Sequence, residues 1–338
     1  MPVTDTFACA ACALDRLGHL AYVRMIKPTG VAHVRDDVEF LTEDGIALRG
    51  WLYRPEGGTE RLPLIVMAHG FSATKEMYLD DFAEVFSQAG FLVLVYDHRN
   101  LGASDGEPRG EIDPWQQIRD YRTAITWAST REDVDETRIG IWGSSYSGGH
   151  VLVVAAQDRR VRCVVAQVPL ISGYENSRRL VRADHLAPLR DAFNADRAAR
   201  YAGEQPAMIP VAYTDDPNEP AALPTADTHD FFLGPILERA TTWRNEVTLR
   251  SVEMFTEYEP GDYLPRITPT PLMMVVAAED HLTVVDLSTK AFTLAHEPKQ
   301  LLVLPGGHFE AYIGEAFRVS SAAQRDWFVQ HLGKVAAQ

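Results

Sequence analysis

Three serines stand within four positions in the stretch IGIWGSSYSGGHVL, from Ile139 to Leu152. A serine hydroxyl is a weak nucleophile at neutral pH. It becomes useful where the backbone presents it and a base takes its proton. RIGIW reads as a strand and SGGHVLVVAAQD as a helix, so the serines fall on a sharp strand-to-helix turn. At the tip of such a turn the residues two before and two after must be small, or they collide with the strand and the helix. Ser144 has Trp142 two positions before it and fails. Ser147 passes sterically but is expected inside the helix. Ser145 has Gly143 before it and Ser147 after it, and is the expected nucleophile. The pattern is G-x-S-x-S, with Ser147 as the small last residue. Gly148 and Gly149 are expected to let the helix pack close to the strand. A phosphate cradle can also be rich in Gly and Ser, but GSSYSGG has neither the lysine of a P-loop nor a GxGxxG order.

A nucleophilic serine needs a base and a group to orient that base. The apolar run PLMMVVAA is followed by Glu279 and Asp280, at the end of an expected strand. The run LLVLPGGHFEAY places His308 in a Gly-rich loop after the last expected strand. His308 is the expected base and then the acid for the leaving group, with Asp280 fixing its tautomer. Glu279 is the alternative acid; Asp280 is preferred because it heads an ED-x-x-T pattern. Asp286 is expected on the following helix. His69, His98, His150 and His281 compete with His308, which is set apart by its position and by Pro305-Gly306-Gly307 before it.

The segment MAHGFSATKE follows the first buried strand. It is expected to place the backbone N–H of Phe71 beside that of Tyr146. Two aimed donors of this kind stabilise a tetrahedral oxyanion by roughly 3–4 kcal/mol each.

These residues need a scaffold, and the pattern describes one. DDVEFLTEDG and IALRGWLYRP alternate and read as an opening hairpin. Short continuous apolar runs follow: LPLIVMAHG, FLVLVYDHR, RIGIWGSS, VRCVVAQVP, PLMMVVAAED and QLLVLPGGH. Such runs suit parallel strands buried on both faces. Helical segments separate them. KEMYLDDFAEVFSQAG stops at Gly90, and DPWQQIRDYRTAITWAST starts from an Asp113 cap with Pro114 at the first helical position. The order implies a doubly wound, mostly parallel α/β sheet. Residues 171–269 break the rhythm and are too long for a loop. They are expected to form a helical cap, inserted before the last two strands, over the sheet edge where ligands bind. The expected division is an N-terminal helical segment at 1–35, a core at 36–170 and 270–338, and the cap at 171–269.

The 338 residues are 46% hydrophobic and 23% charged, an ordinary globular composition, and the formal net charge is −15. That charge argues against nucleic acid and anionic membrane as partners. Cys9 and Cys12 form a lone CxxC, expected on one face of an N-terminal helix rather than on a metal; Cys163 lies in a strand-like run. The N-terminus lacks a basic n-region and no run approaches a membrane span, so the expected location is cytoplasmic.

From about Val38 onward the chain resembles the serine-dependent α/β-hydrolases. HGF, YDHRNLGASDGEP, GSSYSGG, AAED and GGHF stand in that family's order and places. The Tyr after the nucleophile and the following Gly pair resemble the X-prolyl dipeptidyl-peptidase-like and dienelactone-hydrolase-like branches. NEVTLRSVEMFTEYEPGDYLPRITPTPLMMVVAAED and EPKQLLVLPGGHFEAY resemble a subgroup that includes fungal polyketide acyltransferases and bacterial hydrolases of unknown substrate. The resemblance implies the α/β-hydrolase fold and acyl chemistry on an ester or thioester, by hydrolysis or transfer, with no metal and no organic cofactor.

The expected activity is cleavage of a carboxylic ester, lactone or thioester through an acyl-enzyme on Ser145. Transfer of the acyl group to an alcohol or amine is the alternative. Peptide cleavage would need an acidic anchor, for which Glu175 is conceivable. A non-catalytic binding module is a different class, and the presence of Ser145, Asp280 and His308 argues against it. The cap aromatics suit an apolar or aromatic acyl group on a small substrate, with Tyr174, Trp243 and Phe231 as candidate contacts, although aromatics fill cores first. Asp97, Arg99 and Asp105 are expected to support the oxyanion loop without a catalytic role. A homodimer is a candidate assembly, through the N-terminal segment or the cap.

Overall fold

The computed structural model describes residues 33–56 and 60–333. Those residues fall in one compact unit. The expected N-terminal helix with Cys9 and Cys12 lies outside the described residues, and the last residues assigned to that segment, from His33, already belong to a strand.

The opening hairpin is β1 (His33–Leu41) and β2 (Ala47–Pro55). The apolar runs form β3 (Leu62–Ala68), β4 (Leu92–Tyr96), β5 (Val134–Ser144), β6 (Val161–Gln167), β9 (Leu272–Ala277) and β10 (Lys299–Leu304). The sheet order is β1-β2-β4-β3-β5-β6-β9-β10. β1 pairs antiparallel with β2, and β2 antiparallel with β4; every later pairing is parallel. This is the expected doubly wound sheet with an antiparallel edge.

Both sheet faces are covered, which is why the central strands are apolar throughout. Alternate residues go to opposite cores. Leu64, Val66, Leu94 and Ile141 pack with Tyr121 and Ile125 of α2 (Pro114–Ser129) and Val151 of α3 (Tyr146–Gln157). Ile65, Met67, Val95 and Trp142 pack with Phe82 and Phe86 of α1 (Leu79–Gln88) and with Trp327 and Phe328 of a C-terminal helix, Gly314–Leu332. α2 starts where expected: the Asp113 carboxylate accepts from the N–H groups of Trp115 and Gln116. Gly90, φ +97°, follows α1.

Residues 171–269 hold α4 (Gly173–Leu180), α5 (Leu186–Tyr201), α6 (Ala226–Phe232) and α7 (Leu249–Thr256), joined by 3-10 turns. They also hold β7 (Met208–Ile209) and β8 (Val247–Thr248), two residues each, which pair antiparallel. Strands this short leave no periodic signal in a sequence. Phe232, Trp243, Phe255 and Tyr258 of this region join the same apolar cluster as the sheet. After β9 comes α8 (Val285–Phe292), and the C-terminal helix is α9. Among the described residues no helix is long and apolar enough to cross a membrane.

Candidate active site

β5 ends at Ser144 and α3 begins at Tyr146, so Ser145 is the turn itself. Its backbone sits at φ 57°, ψ −113°. Such a conformation costs on the order of 1–3 kcal/mol and persists only where the surroundings enforce it. Three backbone bonds do so. Ser145 N–H donates to Gln167 O (2.9 Å), and Ser145 O accepts from Leu170 N–H (2.9 Å) and Gly149 N–H (3.2 Å).

The size rule at the turn has a direct cause. A Cβ on Gly143 would lie 2.0 Å from Ser147 O. Ser147 itself is accommodated because its buried hydroxyl is paired, 2.8 Å from His98 Nε2. Gly148 lets the helix approach the end of the neighbouring strand β6, where a Cβ would lie 3.0 Å from Gln167 O, and both glycines also serve neighbours beyond the strands. A Cβ on Gly148 would meet Pro169, and one on Gly149 would meet Pro260 and Leu170 O. They admit the chain after β6 and the 3-10 turn Pro260–Arg266.

His308 and Asp280 meet. His308 Nδ1 lies 2.8 Å from Asp280 Oδ2, and both side chains are buried. Asp280 Oδ1 accepts from the N–H groups of Leu282 (2.8 Å) and Thr283 (2.7 Å), and Thr283 Oγ1 donates to Oδ2 at 2.9 Å. The threonine of the ED-x-x-T pattern thus holds the carboxylate. Glu279 is exposed. Asp286 lies on α8 and pairs with Arg179.

The other histidines lie elsewhere. His281 is exposed. His69 Nε2 accepts from His98 N–H (3.1 Å), and His150 contacts Tyr258 OH (3.0 Å) and Gln117 Oε1 (2.9 Å). Burial pushes His69, His98 and His150 down, His150 to about 3. They form a neutral buried layer.

Ser145 and His308 open on one cavity together with Gly70 and Phe71. The Ser145 hydroxyl is not hydrogen-bonded to His308 in this structure; such contacts commonly tighten when substrate arrives. A Cβ on Gly70 would lie 2.8 Å from Ser145 Cβ, so the glycine of HGF lets this segment touch the turn. Among the described residues neither the Phe71 nor the Tyr146 N–H donates to a protein acceptor. The two rings meet edge to face at 5.4 Å. Behind the segment, Asp97 accepts from Lys75 N–H (2.8 Å), Lys75 Nζ (2.6 Å) and Ala103 N–H (2.9 Å). Arg99 bridges Asp120 and Asp44, and Asp105 pairs with Arg49. Among the described residues no three His, Cys, Asp or Glu side chains converge into a set able to hold a metal ion. Cys163 is buried in β6.

Residues 44–310 match the family described as X-Pro dipeptidyl-peptidase (S15 family). The chain belongs to the S15 family. This S15-family chain is 33% identical over 300 residues to the polyketide transferase grgF of a Penicillium species, covering 88% of this chain and 97% of that one. The solved structure of the α/β hydrolase GrgF from Penicillium sp. sh18 superposes with a TM-score of 0.76 at 32% identity, over 89% of this chain and all of that one. The quorum-quenching protein AidA of Acinetobacter baumannii is 35% identical over 284 residues, 83% of this chain and 90% of that one. A thiohydrolase of Eupenicillium brefeldianum is 32% identical over 294 residues, 86% of this chain and 92% of that one. The chain is therefore an enzyme of the hydrolase class with the α/β-hydrolase fold, among relatives that are hydrolases and acyltransferases.

The three candidate substrate contacts separate. Phe231 lines the cavity with Phe232, Phe309 and Tyr312, and stacks on Phe309 at 4.2 Å. Trp243 lies one layer behind, stacked on Phe232 at 5.1 Å, with Nε1–H donating to Ser72 O (3.0 Å). Tyr174 is 48% exposed, faces Arg178, and does not line the cavity. Met77, Leu79 and Leu282 complete an apolar wall that the pattern did not reveal. Glu175 is exposed and outside the cavity. Arg239 braces the roof: its Nη2 lies 2.6 Å from both Asp80 oxygens. Burial, then Asp81, pushes Asp80 up to about 6.

Proposed function

We propose that this enzyme cleaves an ester, lactone or thioester of an apolar or aromatic acyl group through an acyl-enzyme on Ser145. The observation that carries the reading is Ser145, held at positive φ, opening on the same cavity as His308, whose Nδ1 is bonded to buried Asp280. His308 Nε2 takes the Ser145 proton as Oγ attacks the acyl carbon. The oxyanion forms beside the Phe71 and Tyr146 amides. The imidazolium, steadied by Asp280, gives its proton to the departing alkoxide or thiolate. Water then attacks the acyl-enzyme, yielding its proton to His308 and releasing the carboxylic acid and Ser145.

The cavity walls support the acyl part of this reading. Phe231, Phe232, Phe309, Leu79 and Met77 offer apolar contact and carry no charge. The same lining disfavours peptide cleavage, because among the described residues no carboxylate lines the cavity to anchor a substrate amine, and Glu175 stands outside it. Acyl transfer is the second reading, favoured by the relatives named polyketide transferases. It replaces water with an alcohol or amine in the second step. Residues 171–269 act in both as a cap that selects the acyl group.

The test is intact-protein mass after incubation with a fluorophosphonate, followed by peptide mapping. A single adduct on Ser145 is expected. An adduct on Ser147 would overturn the choice of serine, and full activity in Ser145→Ala would overturn the mechanism. Product ratios with and without an added alcohol separate hydrolysis from transfer.

A further inference from the structure

The turn that carries the nucleophile and the turn that carries the base come from distant parts of the chain. Each is well tied locally. Ser145 is pinned to the end of β6 through Gln167 O and Leu170 N–H. His308 is pinned to the end of β9 through Asp280, and Gly306 O accepts from Glu279 N–H at 2.8 Å. The two sets meet at the end of β6, where Thr283 Oγ1, bonded to Asp280, also lies 2.9 Å from Val168 O, so they relate the turns through a third segment and not directly.

One contact relates them directly. Ser144 precedes the nucleophile and is fully buried. Its Oγ hydrogen-bonds the hydroxyl of Tyr312, 168 residues away. Tyr312 closes the 3-10 turn Phe309–Tyr312, whose N-terminal cap residue is His308. Among the described residues this is the hydrogen bond that joins residues 143–147 to residues 305–313. The Tyr312 ring also lines the cavity and lies 6.4 Å from the His308 ring.

We propose that Tyr312 is a positioning residue: its hydroxyl, through Ser144, sets the distance and angle between Ser145 and His308. The proposal rests on the reading of those two residues as nucleophile and base. Proton transfer between them depends steeply on separation, and a misplacement of about 1 Å can cost on the order of 100-fold in rate. The surroundings suit a fixed tie. Trp142, two residues before Ser144, donates its Nε1–H to Gln324 Oε1 (2.5 Å), and Gln324 Nε2 donates to Gln167 Oε1 (2.7 Å). The base of the nucleophile turn is therefore held against α9 as well, and Tyr312 extends that anchorage to the base.

The test is Tyr312→Phe, which keeps the ring and removes the hydroxyl. For an activated ester, kcat is expected to fall about 10- to 100-fold with KM changed less than about twofold. The rate of fluorophosphonate labelling at Ser145 should fall in parallel. A tie that only adds stability would lower Tm and leave kcat of the folded enzyme unchanged. The double variant Ser144→Ala/Tyr312→Phe separates the two roles, because it leaves no buried hydroxyl unpaired. Recovery of Tm with kcat still low supports positioning. Recovery of kcat together with Tm, or an unchanged kcat in Tyr312→Phe, overturns it. If wild-type enzyme takes up no probe at Ser145, the catalytic reading falls first and this inference with it. If wild type is labelled and Tyr312→Phe is labelled equally fast, this inference alone falls.

Discussion

The floor and the roof of the cavity are built on different principles. The floor is made of strand ends: Ser145 after β5, Phe71 after β3, Asp280 after β9 and His308 after β10. Its geometry is enforced by close approach and by hydrogen bonds, so that a single added carbon at Gly70 or Gly143 has no room. The roof comes from residues 223–232 and is held by ring faces, Phe231 on Phe309 and Phe232 on Trp243, with Arg239 as a brace. Ring contacts are sequence-tolerant and interchangeable in a way that a strained turn is not. In the proposed mechanism the difference separates the two tasks: the floor fixes the reaction, and the roof is free to vary with the acyl group.

The contrast can be broken most directly at Asp280. Asp280→Asn should lower kcat by about 10⁴-fold, since the wrong histidine tautomer is then favoured. The variant should keep its circular dichroism and urea midpoint close to those of wild type. Gly143→Ala comes next. Its Cβ would stand 2.0 Å from a backbone carbonyl, so the turn must shift. The expected cost is about 1–3 kcal/mol in urea unfolding, with loss of fluorophosphonate labelling. If this variant reacts normally, the floor is softer than described.

The neutral histidines behind the floor give a pH signature. His150 has its pKa lowered by burial to about 3. An unfolded histidine titrates near 6.5. Between those values the unfolded chain binds the extra proton, so this contribution is complete above about pH 6.5 and is lost as pH falls toward about 3. Asp80 and Asp120, both pushed up to about 6 chiefly by burial, act in the opposite sense. The informative quantity is therefore a difference. Between pH 6 and 4, wild type should lose about 1 kcal/mol per pH unit more than His150→Gln. Parallel stability curves for the two proteins would show that His150 is not held neutral.

Changes to the roof should be milder and different in kind. Phe231→Ala removes one stacked ring. KM for a bulky acyl ester should rise several-fold, about 1 kcal/mol of binding, with kcat little changed. A large fall in kcat without a change in KM would mean that the roof also shapes the reaction. Tyr174→Ala, on an exposed face, should change stability by less than about 0.5 kcal/mol and leave both kinetic constants unchanged.

The same division explains what could be read from the chain. The floor was legible because each part leaves a local mark: an apolar run, then Gly, Ser, Asp or His at its end. The strand-to-helix turn at Ser145 could be found by testing neighbours for size, and Asp280 by the threonine three residues on. The roof and the apolar walls beside it leave no such mark. Phe309 and Tyr312 sit on a single 3-10 turn with no periodicity, and Met77 and Leu79 straddle the start of α1. Tyr174 and Phe231 look alike in sequence, yet one faces solvent and the other the cavity, because tertiary packing of short helices decides it. The pairing of Ser147 with His98 spans 49 residues, and no spacing rule announces it.

Trp243 lies at the seam of the two regions. Its ring rests on Phe232 of the roof, while its N–H reaches Ser72, the neighbour of Phe71 in the floor. Emission from an indole responds to the polarity and hydrogen bonding around it. This tryptophan is therefore a native optical gauge of the seam. The spectrum of the wild type minus that of Trp243→Phe would follow acyl-group entry in real time, without an attached dye and without turnover.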